Sequence, residues 1–161
     1  LNPYVKYWVY SLKPPSLHPC TAAKELPEGY EVLHTGPERD VVIKSKMKKK
    51  LDRKATPDQR AAFRDLYERY GETGSDGIPR GKFNTSEEWF PSRNEKKLML
   101  QAFKPGQLRV YGYCQQFNGR PTFFATGFDR AKKQNAADQD VLKAAGDEAV
   151  RVFDQHRNVG G

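Results

Sequence analysis

Lys104-Pro105-Gly106-Gln107-Leu108-Arg109-Val110-Tyr111-Gly112-Tyr113-Cys114-Gln115 is the stretch on which the fold turns. Pro105-Gly106 sets a turn, after which Leu108, Val110, Gly112 and Cys114 alternate with Arg109, Tyr111, Tyr113 and Gln115. A period of two belongs to a strand with unlike faces. The small and aliphatic set is expected to face the helices, which leaves Arg109, Tyr111 and Tyr113 together on the opposite face. Before the turn, Leu98, Leu100 and Ala102 alternate with Lys97, Met99, Gln101 and Phe103; after it, Asn118-Gly119 marks a hairpin leading to Thr122-Phe123-Phe124-Ala125-Thr126. Three antiparallel strands follow from these patterns.

Upstream, from Glu38, the period changes: Ile43, Met47 and Leu51 recur every four residues, which predicts one apolar helical face, with Lys44, Lys46, Lys48, Lys49, Lys50 and Lys54 on the others. Thr56-Pro57-Asp58 reads as an N-cap with proline at the first helical position, and Phe63, Leu66, Tyr67 and Tyr70 keep helical spacing until Gly71 and Gly74. The two helices make an α-hairpin. Residues 71–96, rich in Gly, Ser, Asn, Asp and charge, are expected to form a long surface loop with a short element near Trp89. Downstream, a basic loop from Asp129 to Asn135 precedes a last helix with Leu142, Ala145, Ala149, Val152 and Phe153 as its apolar stripe and an otherwise acidic surface. Residues 1–37 read as an extension of unassigned role: an aromatic run from Tyr4 to Tyr10, a proline-broken stretch, and a strand candidate from Tyr30 to His34. The fold class expected is α+β, with the main domain over 38–158 and its first strand starting near residue 30.

A length of 161 residues suits one domain, and the formal charge of +8 favours anionic partners, of which nucleic acid is the commonest. Cys20 and Cys114 stand apart in no C-x-x-C pattern, so neither a zinc site nor a disulfide framework is indicated, and a reducing, cytoplasmic setting fits. No run approaches the roughly 20 apolar residues of a membrane span, and Leu1–Tyr10 is too polar for a secretory core. His18, His34 and His156 have no metal-ligand spacing. The chain also lacks the motifs of serine hydrolases, P-loop NTPases and dinucleotide enzymes, and no metal or cofactor is expected.

What remains is cationic and aromatic. Arginine forks onto phosphate oxygens and tyrosine rings stack on unpaired bases. For Arg109 the alternatives are a phosphate ligand or a partner for a carboxylate of the last helix. Tyr111 and Tyr113 stand either on an open face or in the core beneath that helix. Lys132 and Lys133 are either a binding pair or a solvated loop. The run Lys44–Lys54 reads better as a solvated helix face than as a binding site. Cys114 falls on the core face, as a structural residue.

Strand, two-helix hairpin, long loop containing Ile78-Pro79-Arg80-Gly81-Lys82-Phe83, three antiparallel strands, basic loop and terminal helix: over about residues 30–155 this order resembles the RelE/ParE toxin superfamily, in particular its HigB-like, phage-derived branch. The most specific pieces are Lys104-Pro105-Gly106-Gln107-Leu108-Arg109-Val110-Tyr111 and Thr126-Gly127-Phe128-Asp129-Arg130-Ala131-Lys132-Lys133. The resemblance implies a RelE-like fold, an α-hairpin on a small antiparallel sheet with a C-terminal helix. It further implies the toxin of a type II toxin–antitoxin system: a metal-free endoribonuclease that cleaves mRNA, commonly at the ribosome, inhibits translation and is restrained by a cognate antitoxin. By position, Arg109 would hold the scissile phosphate, Lys132 or Lys133 would stabilise charge or move a proton, and Tyr111 would assist. Arg80, Lys82, Tyr113 and Arg130 would contact RNA. The chain has Met99 and Gln101 where many ribonuclease members carry lysines, and Asn135–Val141 lacks the Tyr or His that some carry. Two other expectations therefore stand beside the first: a ParE-like poison of DNA gyrase, and an inert module that binds nucleic acid or a protein partner.

Overall fold

The computed structural model describes residues 23–93, 96–130 and 138–157. Strands β1 (Tyr30–Thr35) and β2 (Asp40–Lys44) are followed by helices α1 (Ser45–Lys54) and α2 (Pro57–Thr73) and a 3-10 turn (Gly74–Gly77). Strands β3 (Phe83–Pro91), β4 (Lys97–Phe103), β5 (Arg109–Phe117) and β6 (Arg120–Asp129) lead to helix α3 (Gln139–Arg157). The fold is α+β. Its six strands form one sheet in the order β1-β2-β6-β5-β4-β3, and every pairing is antiparallel except that of β2 with β6. The expected strands of the C-terminal half and the α-hairpin are present. Thr56 caps α2 in a reciprocal box with Gln59, which satisfies two otherwise orphaned backbone donors.

Three expectations are corrected. Residues 40–44 are strand rather than helix, so Ile43 belongs to β2 and only Met47 and Leu51 to α1. Val41, Val42 and Ile43 are all buried because this strand has core on both sides, and such a strand shows no alternation to betray it. Much of the expected 71–96 loop is the nine-residue edge strand β3. Its pairing with β4 slips between Asn84 and Glu88, which breaks the alternation a strand would otherwise print on its sequence. The sheet is also not purely antiparallel.

The largest correction concerns the open face. The sheet is covered on both sides. On one, Val41, Ile43, Phe103, Leu108, Val110, Phe123 and Ala125 pack with Met47 and Leu51 of α1 and Phe63, Leu66 and Tyr70 of α2. On the other, Val42, Leu98, Leu100, Ala102, Tyr111, Tyr113, Phe117 and Phe124 pack beneath Leu142, Ala145, Ala149 and Val152 of α3. The alternation in β5 sorts residues between the faces as read, but the tyrosine face belongs to α3 and not to solvent.

α3 is held there by two devices. A bulge pairs Tyr111 with Gly127 and Gly112 with Ala125, leaving Thr126 extra. Thr126 donates its hydroxyl to the Ala145 carbonyl at 2.8 Å, and a Cβ on Gly127 would lie 2.5 Å from the Ala145 Cβ; two successive residues thus face the helix, and glycine permits its close approach. Glu148 accepts hydrogen bonds from the Tyr30 hydroxyl at 3.0 Å, Lys44 Nζ at 3.0 Å and Arg151 at 2.8 Å. That carboxylate ties α3 to β1 and β2.

Candidate nucleic-acid interface

Strand direction gathers Arg109, Arg130 and Lys82 at one end of the sheet. β5 begins there with Arg109, opposite Asp129 at the end of β6, with Arg130 next in the chain. β4 ends there, and the Lys104 amide donates to the Lys82 carbonyl at 2.8 Å. Arg80, two residues before Lys82, is exposed. β2 runs parallel to β6 and delivers α1 to the same end. Arg80, Lys82, Lys104 and Arg130 form no side-chain ion pair among the described residues.

Arg109 is half-buried, and its Nη1 donates to the Gly106 carbonyl at 2.7 Å and the Leu108 carbonyl at 2.9 Å. The expected alternative, an ion pair with α3, is absent from the described residues. The turn's own carbonyls hold the guanidinium instead, which fixes its position and leaves its remaining N–H groups to other acceptors. Its surroundings are mixed in charge. Burial first, then the carboxylates of Glu87 and Asp129, push the Tyr111 hydroxyl up to about 12, against the influence of Arg109.

Tyr111 and Tyr113 are 1% and 0% exposed, so neither ring can stack on a base in this conformation. Tyr113 stacks on Phe124 at 5.4 Å and meets Phe153 edge-on at 6.1 Å. At about 12, the Tyr111 phenol also keeps its proton at neutral pH and is no base. Lys132 and Lys133 lie outside the described residues. Of the other singled-out residues, His34 packs against Tyr67, and His156 packs against Phe117 and Phe124. Cys114 is half-buried, with Arg39 Nη1 3.9 Å from its sulfur. Among the described residues no three metal-ligating side chains cluster, and no helix is long and apolar enough to cross a membrane.

A cleft of about 660 Å³ opens between α1 and α3 beside this edge. Lys46, Lys50 and Lys54 line its α1 side, Thr126, Gly127 and Phe128 its floor, and Val141, Ala144 and Ala145 its α3 side, with Asp129 and Arg130 at the end of β6. Lys44 and Glu148 also reach it but neutralise each other at 3.0 Å. The lysine run was expected to be a solvated face. Its spacing of four residues carried a signal, since positions 46, 50 and 54 share a helix side, but only the placement of α3 makes that side a wall.

Comparison with protein-family models, with curated proteins and with solved structures finds no match to this chain.

Proposed function

We propose that this chain acts on RNA as the toxin of a toxin–antitoxin pair, a RelE-like, metal-free endoribonuclease that binds the phosphate backbone at the sheet end carrying Arg109. The observation that carries the reading is the register of β5 and β6, which brings Arg109 and Arg130 to the same end of the sheet, where Lys82 and Lys104 also emerge. Cleavage by the ribose 2′-OH builds negative charge on the phosphorus centre, and a cation held in advance by fixed carbonyls stabilises that charge without reorganising. Arg109 has that preparation. The described residues supply binding and charge stabilisation; proton transfer falls, by the resemblance, to Lys132 or Lys133.

Purified protein incubated with mRNA in EDTA, with and without ribosomes, should cleave it. Arg109→Ala should lower the rate by roughly 10²–10³-fold, the usual cost of losing one preorganised donor. RNA left intact under both conditions overturns the ribonuclease reading. A second reading, an inert RNA-binding module, is favoured by the burial of Tyr111 and Tyr113, which removes two of the groups expected at the site. Salt-dependent binding without cleavage would select it.

A further inference from the structure

Lys46, Lys50 and Lys54 succeed one another along one side of α1, about 6 Å apart along the helix axis and turned by about 40° at each step. Of the nearby cations, Lys44 at the end of β2 pairs with Glu148 at 3.0 Å and Lys48 with Asp52 at 2.8 Å, while Lys49 and Arg53 have no ion pair among the described residues. The three cleft lysines are exposed and have no ion pair among the described residues. Opposite them the α3 wall is small and apolar at Val141, Ala144 and Ala145, with Glu148 beyond, tied to Lys44, and Asp129 beside Arg130 at the end of β6. A ligand for this space is anionic along one side at regular intervals and flat and apolar along the other.

We infer that the cleft between α1 and α3 is a track for unpaired RNA, in which Lys46, Lys50 and Lys54 hold successive phosphates and a base lies against Val141 and Ala144. The inference rests on the RNA reading and extends it from the Arg109 edge into a second site. A duplex fits poorly, because its bases are stacked inside and cannot reach the apolar wall. An acidic amphipathic helix from a protein is the rival occupant; what favours the RNA strand is the continuity of the cleft with Arg130 at the end of β6. Arg130 at the end of β6 lines the cleft and follows Asp129, the cross-strand partner of Arg109, so a strand leaving the track meets the phosphate-binding edge.

The test measures anisotropy of a labelled 12-nucleotide oligouridylate between 50 and 200 mM salt. Three proteins are compared: wild type; Lys46→Gln with Lys50→Gln and Lys54→Gln; and a control of equal charge change, Lys49→Gln with Arg53→Gln and Lys97→Gln. All six positions are exposed, glutamine nearly matches lysine and arginine in helix propensity at the five positions in α1, and Lys97 is the first residue of β4, so both variants should fold. Single-strand binding loses about 0.7 of salt slope per phosphate contact. The cleft variant should therefore bind at least tenfold more weakly, with a slope shallower by about 2, while the control changes less than threefold. Equal losses in both variants, tighter binding of a duplex of the same length, or displacement of the oligonucleotide by hexaglutamate at equal concentration overturns the track. Wild-type protein that cleaves or binds RNA with the cleft variant unaffected refutes the track alone. Wild-type protein that neither binds nor cleaves RNA refutes the underlying reading as well.

Discussion

Tyr113 illustrates how little a residue's chemistry decides until its cover is known. Its ring is fully buried and its hydroxyl has no hydrogen-bond partner among the described residues, and burial drives the phenol's pKa well upward. An unpaired buried hydroxyl costs stability, so Tyr113→Phe should leave stability unchanged or raise it by up to about 1 kcal/mol in denaturant unfolding. RNA binding should not change. A tyrosine that stacked on a base would lose affinity on truncation to a smaller side chain but not on this change, so Tyr113→Leu is the companion: it should lower stability and leave the affinity of the folded fraction intact. Arg109 is the opposite case. Its guanidinium is anchored by carbonyls of its own turn, and under the proposed function its removal should be felt in RNA handling far more than in melting temperature.

At the scale of elements, α3 depends on Glu148. Burial alone would raise this carboxyl; hydrogen bonds from Arg151, Lys44 and Tyr30 outweigh it and hold the group at about 2. A carboxyl depressed in the folded state contributes stability that is fully present above its unfolded value near 4.5 and is lost as pH falls towards 2. Melting temperature should therefore decline across that window. Glu148→Gln should flatten the decline and cost roughly 1–3 kcal/mol at neutral pH, since Lys44 and Arg151 lose their anionic partner. The cap of α2 offers a smaller effect: Thr56→Ala removes the side-chain acceptor for the Gln59 amide, at 3.2 Å, and should cost about 1 kcal/mol. The capping signal and the stripe of α3 were legible because each is local. β3 was not, because its slipped pairing erased the pattern.

For the whole molecule, the sheet between two cores means that α3 is a structural layer rather than an appendage. A chain ended before Gln139 would expose Leu98, Leu100, Tyr111, Tyr113, Phe117 and Phe124 at once. It should lose cooperative unfolding and near-ultraviolet circular dichroism and bind a hydrophobic dye. The same layer makes the cleft, so the cleft wall and the second core share one helix.

The sequence by itself determined the α-hairpin, the three C-terminal strands, the turn at Pro105-Gly106 and the cation at Arg109, because each is specified by residues within a few positions of one another. Only the tertiary structure decided that β2 is a strand, that Tyr111 and Tyr113 are buried, and that Lys46, Lys50 and Lys54 line a cleft. A period of two says that a strand has two faces; it does not say what covers either. That depends on where α3 comes to rest, through Thr126, Gly127 and the Glu148 contacts, among groups up to 118 positions apart in the chain.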